Sequence, residues 1–253
     1  MSTKQIVTQL AHRMGYEIVP AWRMRGLSFA RHLASIFEQY RVDTVVDVGA
    51  NVGQYHEFIR AEVAFHGPVL SYEPQPDCFR TLMENVRQDK LWHVRNLALG
   101  TEPGELSLNI MNDSQFSSFL APEHGVVGDF VEMNQVREVV TVPVVRLDDD
   151  LALPAVHAMA PGRLYLKLDT QGFDLAVLRG APQTLTRTVA LQTELSIKPV
   201  YQGMTDYRQM IDELESLGFE LSSMFPISHD ADLGLIEADG VFINRRALEM
   251  RRA

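Results

Sequence analysis

The chain is poor in cysteine, in positive charge and in long apolar runs. One cysteine, Cys78, stands among 253 residues. No intrachain disulfide can form, and no thiolate-based zinc or iron–sulfur site can be built. Lys and Arg number 23 against 33 Asp and Glu, a formal net charge of −10. A polyanion has to be met by clustered cations, so this balance argues against DNA, RNA or an anionic membrane surface as partner. Arg13, Arg23, Arg25, Arg31 and Arg41 come nearest to a basic patch, and their helical spacing reads as a solvated face. The longest stretch free of Asp, Glu, Lys and Arg is Leu151–Gly162, which Pro154 and Pro161 interrupt. No membrane span is expected from it. The first residues show no charged-then-apolar leader, and the cytoplasm is the default compartment.

What is present is an ordinary globular composition, 46% apolar and 22% charged. Apolar residues recur at helical spacing over 4–14 and 26–40. Residues 1–42 therefore read as a helical N-terminal extension, and 43–253 as one domain. From Asp43 onward short β-branched runs alternate with helical patterns. Strands are expected at 44–48, 69–72, 92–99, 164–169 and 189–197, with helices at 77–88, 174–179 and 205–217. Two strands, 219–225 and 240–244, close the chain, the second antiparallel. Such alternation implies a parallel sheet with helices on both faces. The segment 101–160 breaks the rhythm: strands at 105–111 and 139–146 flank Ser114–Gln135, read as a loop or cover. Seven strands with a terminal hairpin outline a class I methyltransferase, a Rossmann-like α/β fold.

The sharpest local signal is Val45-Val46-Asp47-Val48-Gly49-Ala50-Asn51-Val52-Gly53. A strand runs into a glycine loop and then a helix, which is where ligands sit in a parallel sheet. A dinucleotide loop needs glycines two and five places after the first. Here those places hold Asn51 and Gln54. The Gly-Lys-Ser/Thr of a nucleotide-triphosphate loop is absent as well. The pattern that fits is an acid, Asp47, followed by Gly49, Asn51 and Gly53. A carboxylate there suits an ammonium or sulfonium and would repel pyrophosphate. S-adenosylmethionine carries both cations and no phosphate. Glu73 ends the next strand, before Pro74, where an acid can accept hydrogen bonds from ribose hydroxyls. Asn96, Leu97 and Ala98 follow the third strand, where adenine contacts would fall.

A second dense segment is Lys167-Leu168-Asp169-Thr170-Gln171-Gly172-Phe173-Asp174. Lys167 and Asp169 share one face of a strand. Burying both is costly unless they pair or do chemistry. With Tyr72-Glu73-Pro74, the 96–100 segment Asn-Leu-Ala-Leu-Gly, Ser117-Ser118 and Val144–Asp148, these segments resemble the FkbM-type methyltransferase family over roughly residues 43–244. The resemblance implies S-adenosylmethionine as methyl donor and O-methylation, with sugars of glycolipids and polysaccharides or macrolide hydroxyls as acceptors. The family commonly has Glu where Gln171 stands, which removes one base and makes Asp169 the stronger candidate.

Removing a proton from a hydroxyl calls for a general base. Candidates are Asp169, Glu194, set in the otherwise apolar strand 190–196, and His229, expected in a loop before the last strand. Lys167 completes the catalytic set. Asp148-Asp149-Asp150 reads as a turn and helix start rather than a metal site. No metal is predicted, although a divalent ion on Asp169 and Glu194 stays open, as does a homodimer. An NAD-linked oxidoreductase and a non-catalytic cofactor-binding protein are the alternatives.

Overall fold

The computed structural model describes residues 24–246, together with 7, 9–11, 13–16 and 18–20. The helix expected over 4–14 therefore lies partly outside the described residues, as does part of the arginine run. Helix α1 (Met24–Tyr40) leads into β1 (Thr44–Val48), α2 (Gln54–Ala61), β2 (Val69–Tyr72), α3 (Pro76–Asn85) and β3 (Trp92–Arg95). Then come β4 (Ala98–Leu99), β5 (Gly104–Met111), β6 (Val136–Val145), α4 (Leu147–Ala152) and α5 (Pro154–Met159). The chain closes through β7 (Leu164–Leu168), α6 (Asp174–Arg179), α7 (Pro182–Arg187), β8 (Thr188–Ser196), α8 (Tyr207–Ser216), β9 (Phe219–His229) and β10 (Leu235–Asn244).

Seven strands form one sheet in the order β3-β2-β1-β7-β8-β10-β9. Pairing is parallel from β3 to β8, and β10 is antiparallel to both neighbours. This is the class I methyltransferase arrangement. All residues of β1, β2 and β7 are buried, because helices cover both faces. On one face Phe37 of α1 packs 4.8 Å from Tyr165, ring centre to ring centre. On the other, Leu147, Leu151, Leu178 and Leu214 pack on Val46, Leu70 and Leu166. The chain moves outward from β1 in one direction and from β7 in the other. Their carboxyl ends therefore bound a crevice.

Two departures from expectation have local causes. The single strand expected over 92–99 is two. The residue opposite Arg95 is Tyr72, the last of β2, so the chain has no partner to continue along. The Asn96 side-chain amide then bonds the carbonyls of Glu73 (2.8 Å) and Pro74 (3.3 Å), and β4 crosses into a second sheet, β4-β6-β5. The terminal hairpin is longer than 219–225 and 240–244. Register shifts around Glu237 break its alternation, and Pro226 is tolerated because β9 is an edge strand. The aspartate triplet starts a helix, α4, as expected, and two of its members hold neighbouring elements. Asp148 accepts from the amides of Gln183 (2.9 Å) and Thr184 (2.8 Å) at the start of α7. Asp150 accepts from the Tyr72 hydroxyl (2.8 Å) and pairs with Arg95 (2.5 Å).

Candidate active site

The glycine loop owes its conformation to its neighbours. Gly49 sits at φ +80°, and a Cβ there would lie 1.9 Å from the Asp169 carbonyl oxygen. The amides of Gly49 and Ala50 donate to the Tyr72 carbonyl at 3.0 and 3.1 Å. Asn51 is also left-handed (φ +48°). Gly53 caps α2 at φ +101°, with the Trp92 ring 2.6 Å from where a Cβ would be. The Asn51 amide donates to Glu73 Oε2 and the Gln75 amide to Oε1, both at 2.7 Å. Glu73 is 2% exposed, and burial pushes its carboxyl up to about 8 despite those two amides.

Asp47 does not face the crevice, which corrects the expectation that it meets a cofactor ammonium. It is fully buried and lies opposite Lys167 in the β1–β7 register. The Lys167 ammonium is 3.1 Å from Asp47 Oδ1, and the Ser71 hydroxyl donates to Oδ2 at 3.0 Å. Lys167 also donates to the Gly49 carbonyl (3.1 Å) and approaches Asp169 Oδ2 (3.3 Å). Burial weakens its hold on the proton; Asp169 and Asp47 together outweigh that and hold it charged. The Asp47–Lys167 pair therefore pins the loop from below.

Above the loop lies a cavity of about 690 Å³. Gly49, Asn51, Glu73, Pro74, Leu97 and Ala98 line it, as do Lys167, Asp169 and Glu194. Asn96, Gly53 and Asp47 do not line it. His229 is exposed at the end of β9, paired with Leu235, and is not brought to the cavity. Ser114 and Phe116 close the roof. Ser114 Oγ accepts from the Asn51 side-chain amide (3.0 Å), and Gln75 Nε2 donates to the Ser114 carbonyl (2.9 Å).

Sequence reasoning missed Glu237 and Asp239. Asp239 stands directly opposite Glu194 across the β8–β10 ladder, and Glu237 is two residues along on the same face. Both line the cavity. A Glu-x-Asp spacing on a strand was the available signal, hidden because β10 was expected to begin at 240. Burial raises Glu237 to about 7 and Asp239 to about 6, and both also feel Asp169. Burial, then Glu237 and Asp169, lifts Glu194 well above the usual carboxyl range.

These shifts set the sign of the buried acids' contribution to a stability profile. Unfolded, a glutamate releases its proton near 4.5; folded, Glu73 does so near 8 and Glu237 near 7. Between those values the folded state holds the extra protons, so stability falls as pH rises through the window. The melting temperature of the ligand-free protein should therefore drop from pH 5 to pH 8. Scanning fluorimetry checks this, and a flat or rising profile would contradict the assignment. The Glu73→Gln variant should show a shallower slope.

Six carboxylates and one ammonium line the cavity, and the ammonium is already paired. A pyrophosphate would find no free cation there, which disfavours a nicotinamide dinucleotide. A phosphate-free cofactor bearing an ammonium and a sulfonium, S-adenosylmethionine, fits the acids and the close backbone of the loop. Residues 47–221 match the Methyltransferase FkbM domain family. The 2-O-methyltransferase NoeI of Sinorhizobium fredii is 24% identical over 215 residues, covering 82% of this chain and 84% of that protein. The crystal structure of Methyltransferase FkbM from Methylobacillus flagellatus KT shares the fold. It has a TM-score of 0.50 and 14% identity, and the match covers 95% of this chain and 70% of that one. With a family match spanning most of the domain and the loop, acids and sheet order in place, the chain belongs to the FkbM family of S-adenosylmethionine-dependent methyltransferases.

Proposed function

We propose that the protein methylates a hydroxyl of a sugar or glycoconjugate, with Glu194 as the proton acceptor. The observation that carries this reading is that Glu194 opens into the same cavity as the cofactor loop. There it faces other carboxylates and an amide donor instead of a cation. Asp169, by contrast, has the Lys167 ammonium against one oxygen, and a carboxylate already paired is the poorer base. The cavity lining supports a hydroxyl-rich acceptor: Gln192, Ser228, Glu237 and Asp239 bring polar groups, and Tyr55 and Phe58 bring rings. The relative from Sinorhizobium fredii, a 2-O-methyltransferase, points the same way.

Glu73 would hold the ribose hydroxyls, Leu97 and Ala98 the adenine, and Asp169 the ammonium of the amino-acid end. The bound cofactor supplies an electrophilic methyl group. The protein's part is to align the acceptor oxygen, exclude water with the Ser114–Phe116 roof, and take the hydroxyl proton on Glu194. Incubation of labelled donor with cell-surface glycan extracts tests this. Label should enter the carbohydrate fraction, and Glu194→Gln should slow transfer about 10²–10⁴-fold while S-adenosylhomocysteine affinity stays unchanged. Asp169→Asn should weaken that affinity instead. Unimpaired transfer by Glu194→Gln would remove it as base.

A further inference from the structure

Residue 171 joins the roof of the cavity to its acids. The Gln171 backbone carbonyl accepts from Ser118 Oγ at 2.7 Å. Its side-chain nitrogen donates to Asp169 Oδ1 at 3.0 Å and to Glu194 Oε2 at 3.1 Å. Its side-chain oxygen accepts from the Tyr201 hydroxyl at 2.7 Å, and that hydroxyl lies equally close, 2.7 Å, to the Phe116 carbonyl oxygen. Tyr201 is fully buried and Ser118 is 1% exposed, so neither contact is open to bulk water.

The amide has one workable orientation. Turned over, it would set its oxygen against two carboxylates, which when ionised have no proton to donate to it. The backbone prepares this arrangement. Gln171 is left-handed at φ +53° and Gly172 follows at φ +89°. A Cβ on Gly172 would come within 3.0 Å of Leu120 Cδ1 and 3.1 Å of Met204 Cβ. The loop after β7 is thus clamped between the roof (residues 114–120) and the segment carrying Tyr201.

We propose that Gln171 is a positioning residue that makes the setting of Glu194 depend on the seating of the roof. Ser118, on the roof, holds the residue's backbone carbonyl, Tyr201, against the roof, holds its side-chain oxygen, and the side-chain nitrogen holds the two carboxylates. An N–H donor favours the ionised form of the carboxylate it touches. Gln171 therefore opposes the protonation of Glu194 that burial and the neighbouring carboxylates favour. This rests on the reading of Glu194 as base only for its catalytic meaning; the coupling itself is a property of the resting protein.

The test follows Glu194 directly, without methyl transfer. Protein labelled with ¹³C at the glutamate carboxyls is titrated by NMR with S-adenosylhomocysteine present, the Glu194 signal being assigned from its loss in Glu194→Gln. In Gln171→Leu the Glu194 midpoint should rise by about one pH unit, a tenfold change in proton affinity, and in Gln171→Glu by more. Tyr201→Phe and Ser118→Ala should move it in the same direction by less, although neither residue touches Glu194. Calorimetry confirms that each variant still binds S-adenosylhomocysteine and is folded. An unmoved midpoint in both Gln171 variants overturns the proposal. So does a midpoint that responds to Gln171 but to neither Tyr201→Phe nor Ser118→Ala. Failure of glycan labelling alone would leave this titration unaffected and would count against the acceptor class only.

Discussion

Gly49→Ala should abolish measurable S-adenosylhomocysteine binding and lower the melting temperature by about 10 °C. The left-handed backbone costs an alanine about 1–2 kcal/mol. The larger effect is steric, since the new Cβ would sit 1.9 Å from the Asp169 carbonyl oxygen and 2.8 Å from its carbon. Both are backbone atoms and cannot swing aside, so β1 and β7 must part at the end that forms the site. Overpacking of that kind adds about 1–3 kcal/mol. In a domain of this size each kcal/mol shifts melting by about 2–4 °C. Gly104→Ala is the control, because nothing lies within 4 Å of its Cβ position. Calorimetry showing retained binding in Gly49→Ala would mean that the loop adapts more freely than its contacts imply.

Lys167→Met should cost about 3–5 kcal/mol, because it strands the fully buried Asp47 carboxylate without its cation. Asp47 keeps only the Ser71 hydroxyl on one oxygen. The double variant Asp47→Asn/Lys167→Met should recover most of that stability in urea denaturation, since no buried charge is left alone. It should not recover cofactor affinity, because the Gly49 carbonyl has lost its Lys167 donor and Asp169 its ammonium. A single variant losing less than about 1 kcal/mol would show that water or a rearranged neighbour compensates Asp47.

The β1–loop–α2 unit, Glu73 at the end of β2 and the Lys167–Asp174 segment were legible because each joins a strand pattern to a chemically odd residue. The function of Asp47 was not. From sequence, an acid at a strand end looks the same whether it turns toward a ligand or toward the next strand, and only the Asp47–Lys167 register decides it. Glu237 and Asp239 escaped for a related reason: pairing with β8 places them, and irregular register obscures the alternation that would have flagged them. His229 failed in the opposite direction. A histidine near a predicted loop draws attention, yet pairing with Leu235 carries it to the surface at the hairpin end.

The small sheet has a consequence for how such a protein changes over time. The roof leaves β5 at Met111 and rejoins at Val136, and those two residues are ladder partners. Asn112 and Gln135 extend the contact through a 3.0 Å amide–carbonyl bond. The two ends of the roof are therefore held side by side whatever lies between them. Because loop closure depends only weakly on length, the part of 113–134 beyond the contacts of Ser114, Phe116 and Ser118 with Asn51, Gln75, Tyr201 and Gln171 can change in length on a fixed hinge pair. Insertions or deletions there can remodel the mouth of the cavity while the seven-stranded sheet, the glycine loop and Glu73 are inherited unchanged.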